Sequence, residues 1–483
     1  MNNKLIKDIS ASTFQVILNQ LFGLLVFIIT SRYLAKSVYG ELNWSLAILT
    51  FITTLLSLRL EQVVVRKVAS GDDPSKILSI FLGHTIFFGT LFYIILLAGS
   101  FFIPSFFNHH SLLLILAVSH LLSFFSMPFK QLATGKEKYD RLAIMSSTAN
   151  LIRVVWLVCI ILVSSLDIQA LLMVYIVSSV AELVISIIIV RIDLRIHITT
   201  KGLLKDYFIL MRESLPQIGV VFLNACIARI DWILLGLFST QVITAEYSFA
   251  YKVFELSPVP MLIIGPILLT RFSGYFRDHS VESLKEHRVE LSFFIRAEMI
   301  LATFLPLIIN IIWTPLIDML TQNKYGAVNQ TTFLLLSLCI PFQYLINLFW
   351  TIHFSQNHLG LILRITGITC IVMVAGDLLL IPLINAKGAA IVYLISTVIE
   401  YFLYTRFSPF MAIQDKWIPL VACISIALIS GLAVQNIAIT VLAKLVLSGV
   451  IYVSLLIVAK QIRRSDIRLI RQWTTLKVAK FKI

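Results

Sequence analysis

The run SLPQIGVVFLNACIARIDWILLGLFSTQVITAEYSFAYKVFELSPVPMLIIGPILLTRFSGY, Ser214 to Tyr275, decides the fold class. It reads as two long apolar spans joined by a short polar turn. The first carries Arg229 and Asp231, the second Lys252 and Glu255. A transmembrane helix needs roughly 20 mostly apolar residues, which both spans supply. An ionisable side chain near the bilayer centre costs at least ~2.5 kcal/mol even on the mildest insertion scale, so by default it marks a substrate or ion pathway. Transport is therefore the first functional expectation.

The rest of the chain extends this pattern. Its 483 residues are 59% hydrophobic and 13% charged, with a mean hydropathy of +0.93. The fold class expected is all-α, a polytopic membrane protein of about fourteen transmembrane helices. The spans are placed at 10–31, 42–58, 77–103, 111–129, 143–164, 169–190, 215–238, 245–270, 291–313, 331–352, 361–384, 388–406, 417–435 and 438–459. The connections between them are too short for a soluble catalytic domain.

Alternating these spans with the amino terminus inside places 30 Lys and Arg in inside segments and four outside (Arg32, Lys36, Lys324, Lys387). Five lie within spans: Arg153, Arg229, Lys252, Arg296 and Lys444. That asymmetry predicts cytoplasmic location of both termini. The net charge of +14 is then topology, and no basic folded domain points to nucleic acid. The first apolar region is longer than the roughly 7–15 residues of a secretory signal, so it reads as a retained signal-anchor helix. The five cysteines all fall in spans, far apart, as small packing residues.

The expected domains are an N-terminal lobe, 1–190 (six spans), a cytosolic interfacial elbow, 191–213, a C-terminal lobe, 214–406 (six spans), two further spans in 407–459, and a basic cytosolic tail, 460–483. In the elbow, Leu203, Leu204, Tyr207, Phe208 and Met211 share one face, which suits a helix lying in the inner interface. The tail sets Ile467, Ile470, Trp473 and Leu476 against Arg463, Arg464, Arg468 and Arg471, which anionic inner-leaflet lipid would hold. The halves echo each other weakly, Leu18-Asn19 leading to Trp44-Ser45-Leu46-Ala47 and Leu223-Asn224 to Tyr247-Ser248-Phe249-Ala250. Parallel repeats of this kind place a transporter's site between the lobes.

The spacing of the deep charges has consequences. Arg229 and Asp231 lie about 10–14 Å below the outer end of their span at 1.5 Å per residue, and Lys252 and Glu255 reach a similar depth. The four are expected to form one cluster. Lys252 and Glu255, three apart, can pair along one helix face; Arg229 and Asp231, two apart, point to nearly opposite sides. The alternative is that Arg229 and Asp231 each tie two helices of one lobe together. Arg153 is too deep to snorkel, whereas Arg59, Arg296 and Lys444 can. Acids within spans are Glu182, Asp231, Glu255, Glu298, Asp377 and Glu400; Glu255, Asp377 or Glu400 could carry a coupling proton or sodium. Pro258, Pro260, Gly265 and Pro266 predict a broken eighth helix, the kind that lines transporter cavities.

Soluble-enzyme signatures are missing. Asp72-Asp73 falls in an inside loop, Gly135-Lys136 belongs to no phosphate loop, and His109-His110 and His353 with His358 lack metal-ligand spacing. The longest outer loop, about Thr314 to Gln330, has one base, Lys324, and one acid, Asp318, which argues against a membrane polymerase or ligase.

These residues resemble the polysaccharide-exporting branch of the multidrug, oligosaccharidyl-lipid and polysaccharide flippase superfamily. The resemblance rests on Ser31-Arg32-Tyr33-Leu34, Tyr39-Gly40, Arg59-Leu60-Glu61 to Arg66-Lys67-Val68-Ala69, Leu215-Pro216, Arg229-Ile230-Asp231 to Leu234-Leu235-Gly236, Tyr247-Ser248 with Ala250, Asn323-Lys324-Tyr325, and Ile381-Pro382 to Gly388-Ala389-Ala390. The chain departs from it at Leu58-Arg59-Leu60, where relatives often have Gly before the acid, and at Asp377, where they have Asn. The resemblance implies two lobes around a central cavity formed largely by the first, second, seventh and eighth spans, opening alternately inward and outward. Carried over, Asn19, Arg32, Arg59, Arg229, Lys252 and Glu255 line the cavity, and Arg153 joins them as a deep cation.

The function this implies is a flippase of the bacterial inner (plasma) membrane. It would move undecaprenyl-diphosphate-linked oligosaccharide to the outer leaflet for O-antigen, lipopolysaccharide or capsule assembly. It would be a transporter and not an enzyme, without cofactor, coupled to H+ or Na+, with Asp231, Glu255, Asp377 and Glu400 as coupling or ion-pair groups. The polymerase and chain-length machinery would be its protein partners. A peptidoglycan-precursor flippase or a multidrug exporter of the same superfamily is the alternative.

Overall fold

The computed structural model describes residues 3–199, 203–258, 260–261, 288–356, 358–407 and 417–462. Every regular element in them is helical: α1 (Asn3–Tyr33), α2 (Lys36–Leu56), α3 (Leu60–Ala69), α4 (Pro74–Phe102), α5 (Pro104–His109), α6 (Leu112–Gly135), α7 (Tyr139–Val163), α8 (Ile168–Ile188, continued by a π-helical turn to Asp193), α9 (Leu203–Phe238), α10 (Gln241–Phe254), α11 (Arg288–Thr321), α12 (Gly326–Ser337), α13 (Ile340–Ser355), α14 (Leu359–Phe407), α15 (Trp417–Gln435) and α16 (Val441–Val458). Ten helices among the described residues are long and apolar enough to cross a membrane, eleven if the bent pair α2–α3 counts as one span.

Several of the helix breaks have identifiable causes. Between α2 and α3 the axis turns by 52°, and the hinge is Leu58 (φ 47°) and Arg59 (φ 63°). Two consecutive side-chain-bearing residues in the left-handed region are costly, roughly 1–2 kcal/mol each. At 49 residues, α14 would be about 73 Å long if straight, far more than a bilayer core of about 30 Å. It is two helices, broken where Asn385 takes φ 52° and ψ −131° just after Pro382. Side chains cap several helix starts. Asp73 accepts from Ser75 N (3.0 Å), Asp167 from Ala170 N (2.7 Å) and Thr440 from Ala443 N (3.3 Å).

Two boundaries differ from the sequence reading. The elbow from Leu203 onward and the seventh span are one continuous helix, α9, which runs through Pro216. The outer connection expected over Thr314–Gln330 is mostly helix. α11 runs to Thr321 despite Pro315, and Asp318 accepts from Gly326 N (2.7 Å) and Ala327 N (3.2 Å), so its carboxylate starts α12.

The chain divides into two compact units, Met1–Ser248 and Phe249–Ile483. In the first, α1 packs on α7, α6 lies against α4 and α8, and α2 lies against α9. Its core gathers Leu60, Val64, Phe81, Phe129, Leu132, Met145, Ile189 and Leu210. In the second, α11 contacts α12, α13, α15 and α16, around Ile295, Met299, Leu345, Phe349, Tyr401, Leu420 and Tyr452. Large side chains such as Phe87, Leu162, Ile371, Leu379 and Val446 remain exposed, the outward apolar faces a lipid-embedded bundle needs. The basic tail expected over 460–483 lies outside the described residues from 463 on.

Candidate functional site

In the first unit the charges of α9 separate as their spacing requires. Asp231 is fully buried, and Tyr247 on α10 donates its hydroxyl to Oδ2 at 2.5 Å while Trp232 N donates to Oδ1 at 2.8 Å. Arg229, half-buried, lies with its guanidinium 5.1 Å from the Trp232 ring centre. Tie and cation thus sit two residues apart on one helix. Arg32, at the end of α1, lies 5.8 Å from the Tyr33 ring centre, and Arg59 sits at the left-handed hinge that starts α3.

Asn19 and Arg153 belong to a polar ladder through the interior of the same unit. Asn150 Nδ2 donates to Asn19 Oδ1 (2.8 Å), tying α7 to α1. Arg153 donates to Ser178 Oγ (2.9 Å), Asn150 Oδ1 (3.3 Å) and Ser179 Oγ (3.4 Å), with Tyr175 4.6 Å away beneath its guanidinium. From Ser179 the ladder passes to Ser119 (2.8 Å) and Ser123 (3.2 Å). It ends at Glu182, whose carboxylate accepts from Ser123 (3.0 Å) and Ser126 (3.2 Å) and pairs with Lys130. Sequence reasoning missed this ladder. Its signal was present, Ser119, Ser123, Ser126 and Lys130 on one stripe of α6 facing Ser178, Ser179 and Glu182 on α8, the small and polar residues that join helices in lipid.

At the end of the bundle where the basic loops gather, charges pair near the surface. Glu213 lies 2.5 Å from Arg66 and 3.0 Å from Lys67, Asp206 2.5 Å from Lys76, and Asp193 3.0 Å from Arg141. The hydrogen bond from Lys67, helped by its charge and that of Arg66, holds the Glu213 carboxyl below the usual range, and the same bond raises Lys67.

In the second unit Lys252 and Glu255 form the pair expected from their spacing, 2.7 Å apart and 42% and 26% exposed. The expected break of α10 begins just beyond. The amides of Leu256 and Ser257 bond to Val253 and Phe254, three residues back, and the Ser257 carbonyl accepts from the Tyr344 hydroxyl at 2.9 Å. Pro258 and Pro260 follow; Gly265 and Pro266 lie outside the described residues. Asp377 is fully buried in α14, and Glu400 stands one turn before the buried Tyr404. Glu298 on α11 has a buried carboxyl oxygen without a hydrogen-bond partner. A cavity of about 220 Å³ opens between α11, α12, α13, α15 and α16, walled by Leu307, Asn310, Ser337, Leu428 and Lys444, and none of the expected site residues lines it. No cluster among the described residues could hold a metal ion.

The described residues thus offer cations together with buried carboxylates that hold helices to one another, an arrangement that can bind an anion. The polysaccharide biosynthesis protein family matches residues 5–270. Among solved structures, the chain is similar to a lipid II flippase, MurJ, in an inward closed conformation (TM-score 0.73, 12% identity, 94% of this chain and 99% of that one). It is also similar to an inward-facing multidrug resistance MATE transporter of the MOP superfamily (0.58, 15%, 80% and 94%) and to a Vibrio cholerae MATE transporter (0.55, 12%, 83% and 95%). No curated protein matches the chain.

Proposed function

Because the chain belongs to the polysaccharide biosynthesis protein family, a family of transporters and not enzymes, we propose that it moves an undecaprenyl-diphosphate-linked oligosaccharide across the bacterial inner membrane for surface polysaccharide assembly. The observation that carries this reading is the pair of cations within apolar spans, Arg229 and Lys252, with Arg32 at the end of α1, in a chain of that family and of the MurJ and MATE fold. Such cations grip a diphosphate by charge-assisted hydrogen bonds while the polyprenyl tail stays in lipid.

The reading takes the chain as fourteen spans in two lobes joined at residues 191–213, both termini in the cytoplasm, with a cavity between the lobes. Asn19, Arg32, Arg59, Arg153, Arg229 and Lys252 meet the substrate there. Arg229, Asp231, Lys252 and Glu255 act as one charged cluster, and Asp231, Glu255, Asp377 and Glu400 serve proton or sodium coupling. The lobes rock to expose the cavity to each side in turn. The neighbours named for lipid II and for multidrug transport make those cargoes the second reading.

The test is reconstitution into vesicles carrying a lipid-linked oligosaccharide on one leaflet, read by its accessibility to a lectin from the other side. Arg229→Ala and Lys252→Ala should each abolish the movement in folded protein. Wild-type movement by both variants removes these residues from the mechanism, and movement of lipid II but of no other lipid-linked glycan turns the reading to the peptidoglycan precursor.

A further inference from the structure

The start of α2 presents a stripe of three residues four apart, Lys36, Gly40 and Trp44, to the end of α9 and the start of α10. Lys36 Nζ lies 2.7 Å from Glu246 Oε1, a pair only 25% and 18% exposed. Gly40 packs against backbone: a Cβ there would stand 1.8 Å from the Gln241 carbonyl oxygen and 3.1 Å from Ala245 N. Trp44 donates its indole N–H to the Ile233 carbonyl at 3.1 Å. Its ring covers Gly236 so closely that a Cβ on that glycine would fall 1.8 Å from Trp44 Cδ1. Glycine is needed at both places for the approach and not for backbone freedom, since neither has a positive φ. On its other side α2 is held to the first six helices, because Glu41 accepts from Leu112 N at 2.9 Å and so caps α6. His110 stacks on Trp44 (ring centres 3.8 Å apart, 23° between planes) and reaches Gln241 at 3.4 Å.

We infer that the stripe Lys36–Gly40–Trp44 against Glu246, Gln241 and Gly236 is an outer latch, closed in this structure, that must part for the glycan to leave. The inference rests on the proposed transport reading and its topology, in which α2 belongs to one lobe and α9 and α10 to the other. The latch lies at the end of these helices away from the basic loops, so it closes the outer side. Its parts suit a contact that forms and breaks. A single ion pair that keeps some contact with solvent gives modest, reversible attraction, and two bare glycines allow dry packing without interlocking side chains that would resist separation. Glu41 keeps α2 with its own lobe when the contact opens, which makes the closure lie between α2 and the α9–α10 turn.

The experiment places cysteines at Lys36 and Glu246 in a chain whose five native cysteines are replaced by Ala and which still translocates. The pair is bridged with a reducible bifunctional thiosulfonate. Bridging should stop movement of lipid-linked oligosaccharide, and reductant should restore it. Bridged protein that still moves substrate at the unbridged rate overturns the latch, as does failure to bridge when each cysteine reacts singly. A second readout needs no substrate. Ala245, fully buried beneath Gly40, is replaced by Cys and labelled from outside with a membrane-impermeant thiol reagent. Labelling should be faster in Lys36→Glu and return to the original rate in the Lys36→Glu/Glu246→Lys exchange; equal rates in all three overturn the inference. Wild-type vesicles that move no lipid-linked oligosaccharide would refute the transport reading, and the Ala245→Cys rates would still report the latch.

Discussion

Tyr247→Phe isolates the tie that fixes α10 against α9. The variant removes one oxygen and leaves the ring, which is fully buried, in place. What is lost is the hydroxyl that donates to Asp231 Oδ2 at 2.5 Å, on a carboxylate with no exposure to solvent. A hydrogen bond to a charged group is worth about 1.5–3 kcal/mol net, and a buried acceptor left short of donors keeps its desolvation cost. The whole of that range is therefore expected, equivalent to a 10- to 100-fold change in the folded ratio at about 1.4 kcal/mol per decade. The assay is unfolding of purified protein in mixed detergent micelles, with Tyr33→Phe, at a residue 44% exposed, as the control. Adding Asp231→Asn closes a double-mutant cycle in which the coupling between the two positions should carry most of the loss. A Tyr247→Phe loss below about 0.5 kcal/mol, the scatter of ordinary surface substitutions, would refute the claim that this bond anchors Asp231.

Glu182→Ala should destabilise by about 3–5 kcal/mol, because it strands Lys130 and opens the serine ladder, while Glu182→Ala/Lys130→Met recovers much of the loss; equal unfolding midpoints for single and double variants would deny the pairing. Arg59→Gly should raise thermal stability. The strain of a side-chain-bearing residue at φ 63° is released, about 1–2 kcal/mol, against a glycine entropy of about 0.5–1 kcal/mol. The same variant should slow translocation, since it removes a cation assigned to the cavity; a fall in melting temperature would contradict the strain. His110 gives a pH signature. Burial, with the charge of His109, pushes it down to about 4 from 6.5. Between those values the unfolded chain binds the proton and the folded one does not, so stability rises with pH across that window and falls as acid is added. His110→Phe, which keeps a ring on Trp44, should flatten this part of the stability–pH curve, and an unchanged slope would place the titration elsewhere.

How much was legible in the sequence depends on the scale of the signal. A span is a sum over about 20 residues, so runs such as 77–103 and 169–190 announce α4 and α8 whatever the neighbours do. Local spacing was equally readable. Lys252 and Glu255, three apart, pair as expected, and Arg229 and Asp231, two apart, do not share a direction. Partnerships between distant helices were not. Nothing near Glu182 names Lys130, 52 positions back, and nothing near Lys36 names Glu246, 210 positions on. Turn conformations were hidden for another reason. Leu58-Arg59 carries no Gly or Asn to flag a left-handed hinge.

Several of the charges that prompted the transport reading are held firmly within one unit. Asp231, Glu182 and Arg153 are held by hydroxyls, amides, a backbone N–H or an opposite charge within one unit. A charge so held fixes helices in addition to any part in transport, and its removal costs stability. Arg229 and Arg32 face aromatic rings and Lys252 stands in a half-exposed pair with Glu255, and a diphosphate can engage such cations with charge-assisted bonds. Depth alone does not mark a binding residue. Arg229→Ala should lose transport, whereas Tyr247→Phe, which loosens Asp231 two residues from Arg229, should lose stability first. A transport-dead Arg229→Ala that is also strongly destabilised would place Arg229 with the ties and leave the substrate to other cations.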